Sequence, residues 1–240
     1  MALILSLDTA TEACSAALYD TNSSAEAIQE IYEVIPREHS QRLLPMIDEL
    51  LSAQGVKRSE IDALAFGRGP GAFTGVRIAT GVAQGLAWAL DVPVVPVSTL
   101  AALAQQAYRE QGTTQVLALI DARMDEVYWG LYQLEGELMT LVGDEQVTAP
   151  EKIFSLLPES VQQNIGQVTG IGTGWCYSDR LTELAVAQIT EQAFPHAADI
   201  AALAGPVFAA GQAVPADQAL PVYLRDNVAL KKSERPAKKQ

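Results

Sequence analysis

The chain has 240 residues, 49% of them hydrophobic, 19% charged and 6% aromatic, which is enough apolar material for one large core or two smaller ones. Its net charge is −13, and the last ten residues, 231 to 240, carry five basic groups and one acid, leaving −17 on the remainder. That balance excludes broad contact between the body and nucleic-acid phosphates, and two cysteines without paired spacing, Cys14 and Cys176, exclude a disulfide framework or zinc site and fit a reducing compartment.

In chain order, the first ten residues, MALILSLDTA, hold a short apolar run with no basic stretch ahead of it, so they read as a buried strand rather than a signal peptide. No apolar run approaches the ~18 residues of a membrane span. A soluble cytoplasmic protein is expected. Residues 3 to 20, LILSLDTATEACSAALYD, pattern as strand, turn and strand. A helix follows in QRLLPMIDELLSAQG, with Ser40 as its expected cap, Gly55 as its stop and a bend at Pro45. Leu43, Leu44, Ile47, Leu50 and Leu51 form its apolar stripe.

IDALAFGRGPGAFTG reads as an apolar strand running into a glycine loop, then a helix from about Phe73 to Leu90. The loop lacks the Gly-Lys-Ser/Thr of a nucleoside-triphosphate cradle and does not fit the spacing of a dinucleotide fingerprint. It can serve as a tight turn packed closely on a neighbour, or as a helix start whose free amides accept an anion. Along the helix, Gly75, Ala79 and Ala83 lie near one face and Gly81 and Gly85 near another, so other backbones can approach closely. Together with the stripe at 43 to 51, this helix, through Gly75, Ile78, Gly81, Val82 and Gly85, makes a candidate symmetric or pseudo-symmetric docking patch. On that reading Gly81→Arg or Leu50→Asp should abolish pairing and leave the fold largely intact.

Residues 116 to 133, VLALIDARMDEVYWGLYQ, repeat the first hairpin: Asp8 matches Asp121, Glu12 matches Asp125, and Leu18-Tyr19 match Leu131-Tyr132, all at one offset. Two similar halves are expected. The second continues with a helix opening at Pro150, a strand with a glycine exit in VTGIGTGW, and a helix in AADIAALAGPVFAAG. Alternating strands and helices make the fold α/β. The two histidines, His39 and His196, stand far apart, which argues against a metal site and leaves His39 as a packing or capping residue. Ser40 and Ser98 have no histidine placed as a base except the sequence neighbour His39, so a protease is discounted.

Taken in order, LSLDTATEACSAAL, REHSQRLLPMI, GRGPGAFTGVRI, VPVVPVSTLAALA, IDARMDEVYWGLY, GTGW and PVYLRDNVA resemble the bacterial TsaB family across essentially the whole chain. The resemblance implies the two-lobed fold of the actin-like and sugar-kinase-like ATPase superfamily, in agreement with the internal duplication. Expected divisions are an N-terminal, partner-binding lobe at 1–105, a C-terminal lobe at 106–228 and a basic, disordered tail at 229–240. It further implies a part in forming threonylcarbamoyladenosine beside the anticodon of tRNAs that read codons beginning with A. In that role the chain is a non-catalytic partner of a larger paralogue, TsaD, which holds its metal through an HxxxH pair absent here. A small ATPase, TsaE, joins the pair, a homodimer forms when the paralogue is missing, and tRNA is held mainly by the partner. No cofactor is expected. Asp8, Thr9 and Thr11 match the superfamily's first phosphate hairpin, while Asp121-Ala-Arg-Met-Asp125 lacks the small residues that wrap a phosphate, so the site reads as vestigial. The alternative from another class is an ATP-dependent small-molecule kinase or nucleotide-binding protein on the same fold.

Overall fold

The computed structural model describes residues 2–22 and 27–225; the basic tail expected at 229–240 lies outside them. Strands β1 (Leu3–Asp8), β2 (Ala13–Asp20), β3 (Gln29–Val34), β4 (Ala63–Gly67) and β5 (Val94–Val97) form one sheet in the order β3-β2-β1-β4-β5. The hairpin strands pair antiparallel, and β1, β4 and β5 run parallel. Strands β6 (Gln115–Asp121), β7 (Val127–Glu135), β8 (Leu138–Thr148), β9 (Thr169–Ile171) and β10 (Gln188–Thr190) repeat that plan as β8-β7-β6-β9-β10. The same strand order recurs in both sheets, a duplicated α/β architecture.

Helices cover both faces of each sheet, which is why the β1, β4 and β6 segments are nearly continuous apolar runs. On the first sheet, Leu5, Leu7, Leu18, Leu64 and Phe66 pack under α1 (His39–Gln54) and α2 (Phe73–Leu90), while Ile4, Ala63, Ala65 and Val95 meet α6 (Ala197–Ala209). On the second, α3 (Thr99–Gln111) covers Val116, Ala118 and Ile120. Leu117, Leu119, Trp129 and Leu131 lie in a core with Ile153 of α4 (Ile153–Leu156), Val161 of α5 (Glu159–Gln162) and Trp175. Arg109 on α3 bonds both carboxylate oxygens of the buried Asp199 on α6 at 2.9 Å, tying the crossing of those two helices.

Boundaries follow the expected signals for α2, which spans Phe73–Leu90, and for α1, where Gly55 takes a left-handed C-cap at φ 65. The cap of α1 is Glu38 rather than Ser40 and makes no side-chain capping bond. The helix expected from Pro150 is a short 3-10 turn followed by the four-residue α4. α6 and Ala219, which follow the second sheet in sequence, pack into the first sheet's cores.

The repeat is real, but its register differs from the single offset of the sequence match. Leu5 faces Leu18 in the first hairpin and Leu117 faces Leu131 in the second, and all four are buried on the corresponding faces. Three residues beyond Leu5 stands Asp8, whereas three beyond Leu117 stands Ile120; Asp121 comes one later. Side chains alternate faces along a strand, so the two aspartates point to opposite sides of their sheets. The cause is a turn one residue shorter: residues 9–14 separate the last pair of the first hairpin, and 122–126 that of the second.

Candidate docking surface and hairpin turns

Asp8 ends β1 fully buried, directed at Gly67 and at Ile200 of α6. Its Oδ1 accepts from the Ala10 amide at 2.9 Å, its Oδ2 has no partner, and burial pushes the carboxyl up to about 7. The Thr9 hydroxyl donates to the Gly75 carbonyl at 2.7 Å, and Thr11 is buried with its hydroxyl 3.5 Å from the Ala13 amide.

The glycine loop closes over this turn. The Ala72 amide donates to the Ala10 carbonyl at 2.7 Å. A Cβ at Gly71 would overlap that same carbonyl oxygen, one at Gly75 would overlap the Thr9 carbonyl oxygen, and one at Gly67 would overlap Asp8 Oδ2. Gly71 and Gly75 are required by close approach of backbone to backbone, and Gly67 by the Asp8 side chain lying against it. Of the two readings left open by GRGPGAFTGVR, the packed turn is the one the chain adopts.

The second turn is built differently. Arg123, Met124 and Asp125 all have left-handed backbone, at φ 61, 57 and 60, a conformation that costs roughly 1–2 kcal/mol for each L-residue. Neighbouring arginines hold it: Arg225 donates to the Ala122 and Arg123 carbonyls at 3.0 and 3.2 Å and pairs with Glu126 at 2.6 Å, while Arg180 reaches the Asp125 carbonyl at 3.5 Å. Asp121 accepts from the Arg123 amide and the Tyr177 hydroxyl, away from the α3 side of its sheet. Arg123 also approaches Glu12 of the first turn at 3.6 Å, an exposed pair of small energetic weight.

On α1, Leu43, Ile47, Leu50 and Leu51 are buried in the lobe's own core, and so is Gly75 on α2. These five members of the sequence-based patch are therefore internal: their stripe is the face by which the helices grip the sheet. Leu50→Asp would bury a carboxylate in apolar surroundings and destabilise the lobe by several kcal/mol rather than spare it. Leu44 is 49% exposed, Ile78 and Val82 are half-buried at the flank, and Gly81 and Gly85 are exposed with no atom within 4 Å of where a Cβ would stand.

Three aromatics that the sequence patch omits complete this surface. Trp88, one helical turn past Gly85, is 79% exposed; the rings of Phe73 and Tyr223 meet tilted with centroids 5.8 Å apart, and the Arg77 guanidinium lies 3.6 Å above the Phe73 ring. Trp88 also walls a cavity of about 600 Å³ with Val92, Pro93, Pro215 and the carboxylates Asp91 and Asp217. Trp88 could have been read by extending the Gly81, Gly85 spacing by one turn; Tyr223 could not, because it reaches α2 only through tertiary folding.

Both histidines have local partners. His39 is buried with Nε2 3.1 Å from the Ala13 carbonyl, the packing role expected of it, and His196 stacks on Tyr32 while its Nδ1 meets Glu30 at 2.7 Å. Burial pushes the Cys14 thiol up to about 12. Ser98 caps α3 and donates to Glu145, which also accepts from the Tyr132 hydroxyl at 2.5 Å. Among the described residues no cluster of His, Cys, Asp and Glu has the geometry to hold a metal ion, and no helix is long and apolar enough to cross a membrane.

Comparison with known proteins agrees with this architecture. The profile of the TsaD family, tRNA N6-adenosine threonylcarbamoyltransferase, matches residues 21–233. A tRNA threonylcarbamoyladenosine biosynthesis protein TsaB from Escherichia coli is 46% identical over 232 residues, 95% of this chain and 97% of the relative. The TsaB protein of Haemophilus influenzae is 39% identical over 237 residues, 95% and 96% of the two chains. A solved structure of YeaZ from Pseudomonas aeruginosa superposes with a TM-score of 0.86 at 53% identity, covering 93% of this chain and all of that one. The chain belongs to the TsaB family of tRNA threonylcarbamoyladenosine biosynthesis proteins.

Proposed function

We propose that this chain is the non-catalytic, activating subunit in threonylcarbamoyladenosine formation on tRNA, acting in the cytoplasm by docking the exposed side of α2 and the Leu44 edge of α1 onto a larger TsaD-type paralogue. The observation that carries this reading is the open stripe of Gly81, Gly85 and Trp88 on a helix whose other side is fully used by its own core. Two exposed glycines one turn apart let a second helix approach to backbone contact, and the aromatics beside them supply apolar area. Such a surface on a duplicated fold suits a pseudo-symmetric pairing with a paralogue, and a homodimer through the same patch when the paralogue is absent. A small TsaE-type ATPase joins the assembled pair.

Two further features support a subunit without its own reaction. The turn carrying Asp8, Thr9 and Thr11 is sealed by the glycine loop, and its one unpaired carboxylate oxygen is buried against Gly67 and Ile200, so the residues of the ancestral phosphate hairpin are spent on internal packing. They do not fit a nucleotide phosphate with its metal ion. The charge of −17 outside the last ten residues fits a body that leaves most of the tRNA to its partner.

The decisive experiment measures threonylcarbamoyladenosine on tRNA in a mixture of the paralogue, the ATPase, threonylcarbamoyl-adenylate and ATP, with and without this chain. The reading requires modification to depend on the chain while the chain alone neither hydrolyses ATP nor modifies tRNA. Gly81→Arg should abolish co-elution with the paralogue while thermal unfolding stays near wild type; unchanged co-elution would refute the placement on α2.

A further inference from the structure

Two of the sequence motifs reach beyond the docking surface: PVYLR (221–225), of which Tyr223 alone lies on that surface, and IDARMDEVYWGLY at the second hairpin. In the folded protein they meet. From Ala219, buried in the first lobe's core, the chain runs as a strap along α2 toward its N-terminal end. Gln84 of α2 donates to the Ala219 carbonyl at 2.9 Å, the Val222 amide donates to the Arg68 carbonyl in the glycine loop at 2.8 Å, and the Tyr223 hydroxyl accepts from Arg77 at 2.8 Å. Two residues later, Arg225 leaves the first lobe and makes its contacts with the second.

Arg225 does not rest on a generic surface there. Its guanidinium satisfies the Ala122 and Arg123 carbonyls and pairs with Glu126, bracketing the three left-handed residues between them. Its side chain is only 14% exposed. A fork-shaped, permanently charged donor suits this site, because it can reach two carbonyls and a carboxylate together, which a lysine cannot. A turn of three non-glycine residues in left-handed backbone persists only when its surroundings over-determine it.

We infer that the strap and the left-handed turn form a latch, closed by Arg225, that couples the partner-facing side of α2 to the position of the second lobe. The inference rests on the docking reading for the identity of the partner, but the latch belongs to the isolated chain. Tyr223 of the strap and Phe73 of α2, against which its ring packs, are 45% and 58% exposed on the docking side. A partner that covers them orders the strap, the ordered strap holds Arg225 in place, and Arg225 holds the turn, so docking energy reaches the far lobe through one contiguous chain of contacts.

The test is amide hydrogen exchange on the full chain, resolved at Ala122 and Glu126, whose amides bond within the turn to the Glu126 and Arg123 carbonyls. In the free protein, Arg225→Met should raise exchange at both amides at least tenfold and leave Leu117 and Ala118 in β6 unchanged. Rates within twofold of wild type would overturn the latch. Glu126→Gln, which keeps both carbonyl contacts and weakens only the ion pair, should give a smaller rise, and it serves as the test if Arg225→Met unfolds; no rise in it would then overturn the latch. Adding the purified TsaD-type paralogue should slow exchange at Ala122 and Glu126 several-fold in wild type but not in Arg225→Met. Equal slowing in both would overturn the coupling. Failure of the paralogue to protect α2 at 81–88 would sink the docking reading instead, leaving the free-chain comparison to decide the latch.

Discussion

The two hairpins of this protein share strand order, pairing and buried leucines, yet their turns have opposite fates. The first turn is closed from outside: the glycine loop lies on it so tightly that Gly71 and Gly75 have no room for a Cβ, and its hydrogen-bonding groups face inward. The second is open to solvent, with Met124 71% exposed, and is held by arginines from distant segments. One residue of turn length separates them. That residue turns Asp8 toward α6 and Asp121 to the other side of its sheet, so a duplicated sequence gives two different local environments.

Breaking the seal on the first turn should have the largest effect. Gly75→Val drives a Cβ and its two methyls against the Thr9 carbonyl, and a cost on the order of 5 kcal/mol is expected, enough to unfold a domain of ordinary stability. Urea denaturation gives the value, and a loss below ~1 kcal/mol would mean that the seam is loose.

The buried carboxylate sets the next effect. Asp8 has a folded pKa of about 7 against an unfolded value near ~3.9, so the folded state holds an extra proton between those limits and loses stability as pH rises from about 4 to about 7. Asp8→Asn removes this contribution. The stability difference between variant and wild type should therefore grow in the variant's favour across that window, by at most ~4 kcal/mol, and a flat difference from pH 4 to 8 would show that Asp8 is ionised throughout. Asp121→Asn in the second hairpin serves as the comparison.

Relieving the second turn should stabilise it. Met124→Gly removes one left-handed L-residue at some expense in unfolded-chain entropy, for a net gain of about 1 kcal/mol. Thermal unfolding reads this; a loss would mean that the exposed methionine is held by contacts stronger than its strain. The smallest effect belongs to the open glycines of α2. Gly81→Ala adds a helix-favouring methyl into empty space and should gain up to ~0.8 kcal/mol in the isolated chain, while weakening association with the paralogue in a pull-down titration. One helix thus carries a glycine that tolerates nothing and another that tolerates alanine freely, because only the first lies against a neighbouring backbone.

Much of this was legible before folding. The β1 and β6 runs, the limits of α2, the stop at Gly55 and the existence of two similar halves all follow from local periodicity and turn chemistry. The strand β3, the connecting helix α3 and the long β8 were not singled out, since β3 is a half-exposed edge strand and α3 mixes small and polar residues without a strong stripe. The docking patch was half legible: periodicity shows that Leu43, Ile47, Leu50 and Leu51 share a face, but a stripe that grips its own sheet and one that awaits a partner look alike in sequence.

Sequence alone determined the family, the duplication and the absence of an HxxxH pair, because each is carried by residue types at short spacings. Tertiary structure decided what those residues do. Which face of a helix is spent on the core, whether a glycine loop cradles an anion or seals a turn, and that Arg225 reaches the 122–126 turn all depend on distances between segments up to a hundred residues apart. Local pattern constrains a side chain's direction relative to its own element, and only the packing of elements against one another fixes what lies in that direction.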